Sequence, residues 1–323
     1  MKRDLLDLAA RLTAEREPYA LATVVRSERP TSGKPGNMAL ISADGVMHGW
    51  IGGSCTRSEV IHHALETLDQ GEPRLLAFGS SPGRRDDLVP VPMSCSSGGK
   101  VEVHVNPVLP APVLIVAGRS PVARSLVRLG DAMGYTTVAE TSEDEALAAA
   151  ADKAVDDLAE TAARYAERPR GWRLYAVVAT MGRRDEPSLA ELAAAAPDYL
   201  GVIASPTRME EVRRVLAAHG LDADEIARVR GPAGLDIGAE SPEEIALSIL
   251  AEIVQLEAQT RESGAIKSGD ASADAAATDP VCGMTVPVAG SPSSVFEGEP
   301  VYFCCEGCRS RFDASPEAYL RER

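Results

Sequence analysis

The spacing of apolar positions changes along this chain and divides it into stretches of different character. The opening MKRDLLDLAARL sets leucine and alanine at helical intervals with Asp4 and Asp7 between them. That pattern predicts an amphipathic helix and is not the apolar core of a signal sequence. LATVV (21–25), NMALIS (37–42) and GVMHGWI (45–51) have strand character, and Ala-Asp-Gly at 43–45 predicts a hairpin turn. CTRSEVIHHALETLDQG (55–71) returns to helical spacing and stops at a glycine, and KVEVHV (100–105) is a further strand. The prediction for this part is a mixed sheet with helical cover.

A boundary falls at NPVLPAP (106–112), where prolines interrupt regular structure. Beyond it, strand VLIVA (113–117), helix SPVARSLVRLGDAMG (120–134) and strands YTTVA (135–139), LYAVVAT (174–180) and YLGVI (199–203) alternate with helical stretches. Such alternation predicts a parallel, doubly wound sheet. The alanine-rich run 142–168 reads as a pair of surface helices without chemistry, and QTRESGAIKSGDASADAAAT (259–278) as a flexible tether with almost nothing to bury. The expected fold class is therefore α/β in three parts: an N-terminal mixed α/β domain (1–108), a Rossmann-like domain (109–257), and, after a linker (258–277), a small cysteine-rich module (278–323).

Charge narrows the function. Acidic residues outnumber basic ones 48 to 33, for a formal charge of −15. A general nucleic-acid or anionic-membrane partner would be repelled, so any anion site must be local. No stretch reaches the roughly 18 uninterrupted apolar residues of a membrane span, and the chain is expected in the cytoplasm. Of the six cysteines, Cys55 and Cys95 stand apart, while Cys282, Cys304, Cys305 and Cys308 crowd the end. In a reducing compartment such clustering favours metal or thiol chemistry over disulfides.

Three segments could carry chemistry. At VLIVAGRSPVARSL, Gly118, Ser120 and Ala123 occupy the positions of a dinucleotide fingerprint, and Glu140 follows the next strand where a ribose-binding acid would stand. Two of the three glycines are missing. Ser120 as N-cap and Pro121 as first helical residue still suit a phosphate at the helix start, and a plain turn without ligand is the alternative. The loop RSERPTSGKPGN (26–37) gathers Arg26, Arg29 and Lys34 among glycine, proline and serine, as an anion-wrapping or a merely solvated loop would. IGGSC (51–55) runs a strand through Gly52 and Gly53 into a helix start, where the dipole favours the Cys55 thiolate; a small core residue is the other reading. Cys95 sits in a second Gly/Ser loop, PMSCSSGGK.

The combination ATVVRSERPTSGKPGNMALISADGVMHGWIGGSC, MSCSSGGKVEVHV, the Rossmann unit and the long motif GPAGLDIGAESPEEIALSILAEIV (231–254) resembles the XdhC/CoxI family over residues 15–257. The resemblance implies an accessory protein that binds molybdenum cofactor (molybdopterin), protects it during sulfuration and passes it to a molybdenum hydroxylase apoenzyme of the xanthine dehydrogenase or carbon monoxide dehydrogenase type: a carrier, not a catalyst. It maps Gly52, Gly53, Cys55 and Cys95 onto the family's cysteine segments, although Cys95 is followed by Ser96-Ser97-Gly98-Gly99 where Cys-Gly-Gly is usual. Arg29, Lys34, Gly118, Ser120 and Asp236 of GLDIG complete the expected cofactor-binding set. ATMGRRDEPSL (179–189) stands where family members often carry His-Asp-His. A sulfurtransferase or cysteine desulfurase and a second copy of the chain are further expected partners.

The tail, DPVCGM followed by EGEPVYFCCEGCRSRFDASPEAYL, resembles a YHS or TRASH-type module over residues 278–320. The resemblance assigns Cys282, Cys304 and Cys308 as thiolate ligands, with Cys305 a fourth sulfur and Met284 a soft extra donor. Zn(II) or Cu(I) suits such a set, and a module this small would gain stability from the metal. Two other functions compete with the carrier: an NAD(P)-linked oxidoreductase using the Rossmann turn, and a metal-trafficking or metal-responsive protein.

Overall fold

The structure, a computed structural model, describes residues 2–79, 88–91, 99–140, 145–267, 276–281, 285–287, 292–296, 299–303 and 306–319. The chain forms two compact units, Met1–Pro110 together with Ser263–Arg323, and Ala111–Glu262.

In the first unit α1 (Lys2–Glu15) buries Leu5 and Ala9 in a cluster with Tyr19 and Leu40. Then come β1 (Tyr19–Glu28), β2 (Met38–Ser42), β3 (Met47–Gly49), α2 (Ser54–Gln70), β4 (Arg74–Phe78), β5 (Leu88–Val91) and β6 (Lys100–Val108). They build one mixed sheet in the order β3-β2-β1-β6-β4-β5, with only β4 and β5 parallel. Helix α2 ends as its glycine predicted: Gly71 takes a left-handed conformation, and its N–H closes on the Thr67 carbonyl.

Two differences from the predicted pattern concern proline. Strand β6 runs past residue 105 through Pro107 to Val108, because it keeps pairing with β1 after its ladder with β4 has ended at Val105. Proline is tolerated where only one neighbour remains. Strand β5, unanticipated, contains Pro90 and lies at the sheet edge for the same reason. β4 escaped the alternation rule because RLLAF is mostly buried, and a short continuous apolar run has no period.

The second unit holds β7 (Val113–Ala117), α3 (Pro121–Ala132), β8 (Thr136–Glu140), α4 (Glu145–Ala150), β9 (Lys153–Val155), α5 (Leu158–Ala166), β10 (Leu174–Val178), α6 (Asp185–Ala193), β11 (Tyr199–Val202), α7 (Pro206–Ala218), α8 (Ala223–Arg228), β12 (Val229–Arg230) and α9 (Pro242–Lys267). All pairings are parallel, in the order β12-β11-β10-β7-β8-β9. Every residue of β7 is buried. Val113, Ile115 and Ala117 face one apolar layer with α5, α6 and α7, while Leu114 and Val116 face the other with α3 and α9. Burial on both faces is why the strand reads as an unbroken apolar run. The alanine-rich segment is not simply a helix pair, since β9 lies between α4 and α5 and adds an edge to the sheet.

Helix α9 packs Ala246, Ile249, Leu250 and Ile253 onto the sheet and continues to Lys267, through residues 259–267 of the stretch predicted to be a tether. Once a buried face has nucleated a helix, adding residues costs far less than starting it. The tail contributes β13 (Ala276–Thr278), β14 (Thr285–Pro287), β15 (Ser293–Phe296), β16 (Glu299–Tyr302) and α10 (Glu306–Ala314). Its Phe303 and Phe312, with ring centroids 5.1 Å apart, belong to the same apolar cluster as the first unit's sheet. No helix among the described residues is long and apolar enough to cross a membrane.

Candidate functional site

The glycines of the first unit bring its flagged loops together. A Cβ at Gly33 would lie 2.6 Å from the Ile51 carbonyl oxygen, so the loop carrying Arg29 and Lys34 lies directly on the turn that leads into α2. Gly52 and Gly53 continue this contact, with the Gly33 nitrogen and the Ser32 Oγ each 3.9 Å from where their Cβ atoms would be. Gly99 meets Pro30 so closely that no side chain fits there. The loop is folded by Asn37, whose Oδ1 accepts from Lys34 N–H at 2.7 Å, and by Gly36 N–H donating to the Val24 carbonyl at 2.8 Å. Arg29 and Lys34 are both exposed.

Helix α2 begins beside this loop. Its N-cap is Gly53, which offers no side chain to the first-turn amides, and no acidic residue occupies that turn. Cys55 lies in the first turn. Arg29, Lys34, Gly52, Gly53 and Cys55 thus belong to one loop cluster. Cys95 lies outside the described residues; Gly99, after it in sequence, is the residue seated on Pro30.

The second unit has its own cleft, of about 130 Å³, lined by Gly118, Arg119, Glu140, Thr180, Met181, Arg183 and Arg184. It opens beyond the carboxyl ends of β7 and β10, adjacent strands between which the chain order reverses. This is where open α/β sheets take ligands. Gly118 is required by packing: at φ +109° its turn approaches β10 so closely that a Cβ would lie 2.5 Å from the Ala179 carbonyl oxygen. Ser120 is buried, and its Oγ accepts from Ala123 N–H at 3.1 Å as the cap of α3. Glu140, at the end of β8, is 8% exposed. Burial raises its carboxyl above the ordinary glutamate range, against the lowering influence of Arg184, the Gly118 backbone N–H and Arg119. Arg184 Nη1 stands 3.6 Å from Glu140 Oε1, and its Nη2 is 3.2 Å from Glu191.

Sequence reasoning found Gly118, Ser120 and Glu140 but missed Arg119, Thr180, Arg183 and Arg184. The signal for the last three was present in ATMGRRDEPSL, the segment after β10, and only the sheet order brings it beside Gly118. Asp236 is exposed and does not line the cleft. Its loop is held to α9 instead, Gly234 N–H donating to Glu252 at 2.8 Å and Leu235 N–H to the Ser248 carbonyl at 3.2 Å.

In the tail, Cys308 is buried on α10 among Phe303 and Phe312. Cys282, Cys304 and Cys305 lie outside the described residues, as does Met284. Asp279 is fully buried, and its Oδ1 accepts from Val281 N–H at 2.8 Å in a local turn.

Three family models match this chain: "XdhC and CoxI family" over residues 12–79, "XdhC Rossmann domain" over 114–253 and "YHS domain" over 277–323. The uncharacterized protein YqeB of Escherichia coli K12 is 31% identical over 252 residues, 77% of this chain and 45% of YqeB. A copper-transporting P-type ATPase of Rhizobium leguminosarum bv. viciae is 55% identical over 49 residues, 15% of this chain and 6% of the ATPase. The chain thus spans less than half the length of the curated relatives it matches. Among solved structures, one described as a xanthine dehydrogenase from Bacillus halodurans is 20% identical, covering 83% of this chain and 97% of that one, with a TM-score of 0.37.

Proposed function

The chain belongs to the XdhC and CoxI family and ends in a YHS domain, and from that premise we propose that it binds molybdenum cofactor and delivers it to a molybdenum hydroxylase apoenzyme. The observation that carries this reading is the loop cluster of the first unit, where the contact of Gly33 with Ile51 sets the Arg29–Lys34 loop against the turn before Cys55. A helix-start cysteine is a soft donor for a metal, the glycine turn bares backbone amides, and two exposed cations answer an anionic ligand tail. The donor set fits a dithiolene-held molybdenum with a phosphate-bearing pterin.

In this reading Cys55 holds the metal end, Gly52 and Gly53 offer N–H groups, and Arg29 and Lys34 neutralise the phosphate. When bound, the cofactor supplies the redox-active metal that the client hydroxylase uses. The chain's own residues bind, orient and shield it. A sulfurtransferase and a second copy of the chain are further proposed partners, which rest on the family resemblance alone.

The test is to purify the full chain from cells that make the cofactor and to measure molybdenum and pterin per chain. Both are expected near stoichiometric amounts in the wild type and at least tenfold lower in Cys55→Ser, with the melting temperature unchanged. Wild-type protein without pterin, or a Cys55→Ser variant that retains it, would overturn the reading.

The tail is proposed to bind a soft metal, Cu(I) or Zn(II), through Cys282, Cys304, Cys305 and Cys308. Its 55% identity to a segment of a copper-transporting ATPase favours copper, and thiolate softness is consistent with that choice. Elemental analysis of wild type against Cys308→Ser tests it.

A further inference from the structure

We propose that the cleft at the reversal point of the second unit's sheet binds a phosphate group, free or as a monoester, gripped by the side chains of Arg119, Arg183 and Arg184. Its lining residues all belong to the second unit and include none of the loop cluster around Cys55, so either assignment can fail without the other.

Three arginines and one glutamate line the cleft in a chain whose acidic residues exceed its basic ones by 15. Arg184 is divided between Glu140 and Glu191, while Arg183 has no carboxylate partner among the described residues. An arginine without an acid, in a cleft, in so acidic a protein, is matched to an anion from solution. A phosphate monoester carries about −1.5 to −2 charges near neutral pH, and its oxygens suit the forked donors of guanidinium.

The loop that presents Arg183 and Arg184 is held in shape. Met181 (φ +56°) and Gly182 (φ +81°) are successive left-handed residues, a conformation that a non-glycine residue keeps only where its surroundings enforce it. Thr180 supplies that enforcement, its Oγ1 accepting from Arg184 N–H at 3.3 Å and donating to Asp185, which is 1% exposed. The guanidinium groups therefore start from a fixed backbone, which lowers the ordering cost of gripping a ligand.

The same geometry argues against a dinucleotide. The Ala123 N–H is taken by Ser120 Oγ. One of the helix-start amides that would receive a pyrophosphate is thus used internally. The volume, about 130 Å³, admits a phosphate group, whereas sites that enclose a whole cofactor measure some 300 Å³ or more.

The experiment titrates the full chain with inorganic phosphate, AMP and NAD+, following ³¹P line broadening and heat of binding. Wild type, Arg183→Gln, Arg184→Gln and the distant surface control Arg164→Gln are compared, with melting curves for each. Saturable binding of phosphate or AMP is expected, weakened about tenfold or more by either cleft substitution and unaffected by Arg164→Gln. Equal affinity for phosphate and AMP identifies free phosphate as the ligand source; tighter AMP binding identifies an ester; both support the site. Absence of saturable binding to wild type, affinity indifferent to Arg183 and Arg184, or NAD+ binding at least tenfold tighter than AMP would each refute it.

Discussion

Glu252 accepts the backbone N–H of Gly234 at 2.8 Å, so a carboxylate on α9 pins the loop that follows β12. The same Oε2 accepts from Tyr199 Oη at 2.7 Å, and Arg230 Nη1 lies 3.2 Å from Oε1. The long motif from Gly231 to Val254 is thereby explained as one packing unit, in which Gly234 leaves no room for a side chain against Ser248. Glu252→Ala removes the acceptor for a buried phenol and a backbone amide. It should lower unfolding free energy by about 2–4 kcal/mol, measurable by urea denaturation. A loss within a few tenths would show that water replaces the carboxylate.

Gly33→Ala should loosen the first unit by driving a methyl group into the Ile51 carbonyl, 2.6 Å from the ideal Cβ position. Overpacking of this kind costs about 1–3 kcal/mol. Hydrogen exchange should localise the change to the Arg29–Asn37 loop and the start of α2, while the amides of β7 and β10 stay protected. Uniform loss of protection across both units would contradict this account.

Ser120→Ala should cost about 1 kcal/mol by removing the cap on Ala123 N–H, and Ser120→Gly only a few tenths. The glycine variant restores the second glycine of a dinucleotide fingerprint, yet NAD+ binding is not expected to appear. The cleft, about 130 Å³, remains smaller than sites that enclose a whole cofactor. Calorimetry with NAD+ on both variants decides the point.

Acid should destabilise the first unit through α2. Burial opposes ionisation of Glu66, but the His63 hydrogen bond and the charges of His62, Arg74 and His63 outweigh it and hold its carboxyl at about 2. A carboxyl lowered in the folded state contributes stability above its ordinary value, near 4.5, and loses it as pH falls toward 2. His62 is lowered by burial despite the pull of Glu66, so stability also declines as pH falls through 6.5, the ordinary histidine value. Thermal melts between pH 7 and pH 2.5 should show both declines, and Glu66→Gln should flatten the lower one. An unchanged profile in that variant would remove Glu66 from the explanation.

Strands β7, β8, β10 and β11 were legible because burial on both faces writes an unbroken apolar run between breakers, and α3 because Ser120-Pro121 marks its start. The place of Cys55 at a helix start was legible for a similar local reason: two glycines before a helix start are adjacent in the chain and stay adjacent in the fold. β4, β5 and β9 were not, since β5 and β9 are short edge strands with too few residues to show a period, and RLLAF of β4 opens on an arginine and does not alternate. Nor was the reach of α9 beyond residue 258, where composition alone resembled a tether.

What the sequence determined by itself is the set of local propensities: which segments form strands and helices, where they stop, and which cysteines and glycines stand beside a helix start. Which distant segments meet was decided only by tertiary structure. Arg119 and Arg184 face one cleft because parallel pairing sets β10 beside β7, and the Arg29–Lys34 loop meets the Gly52-Gly53 turn because Gly33 admits the Ile51 carbonyl. Such contacts depend on sheet order and close backbone approach, which have no period along the chain and so leave no local mark in it.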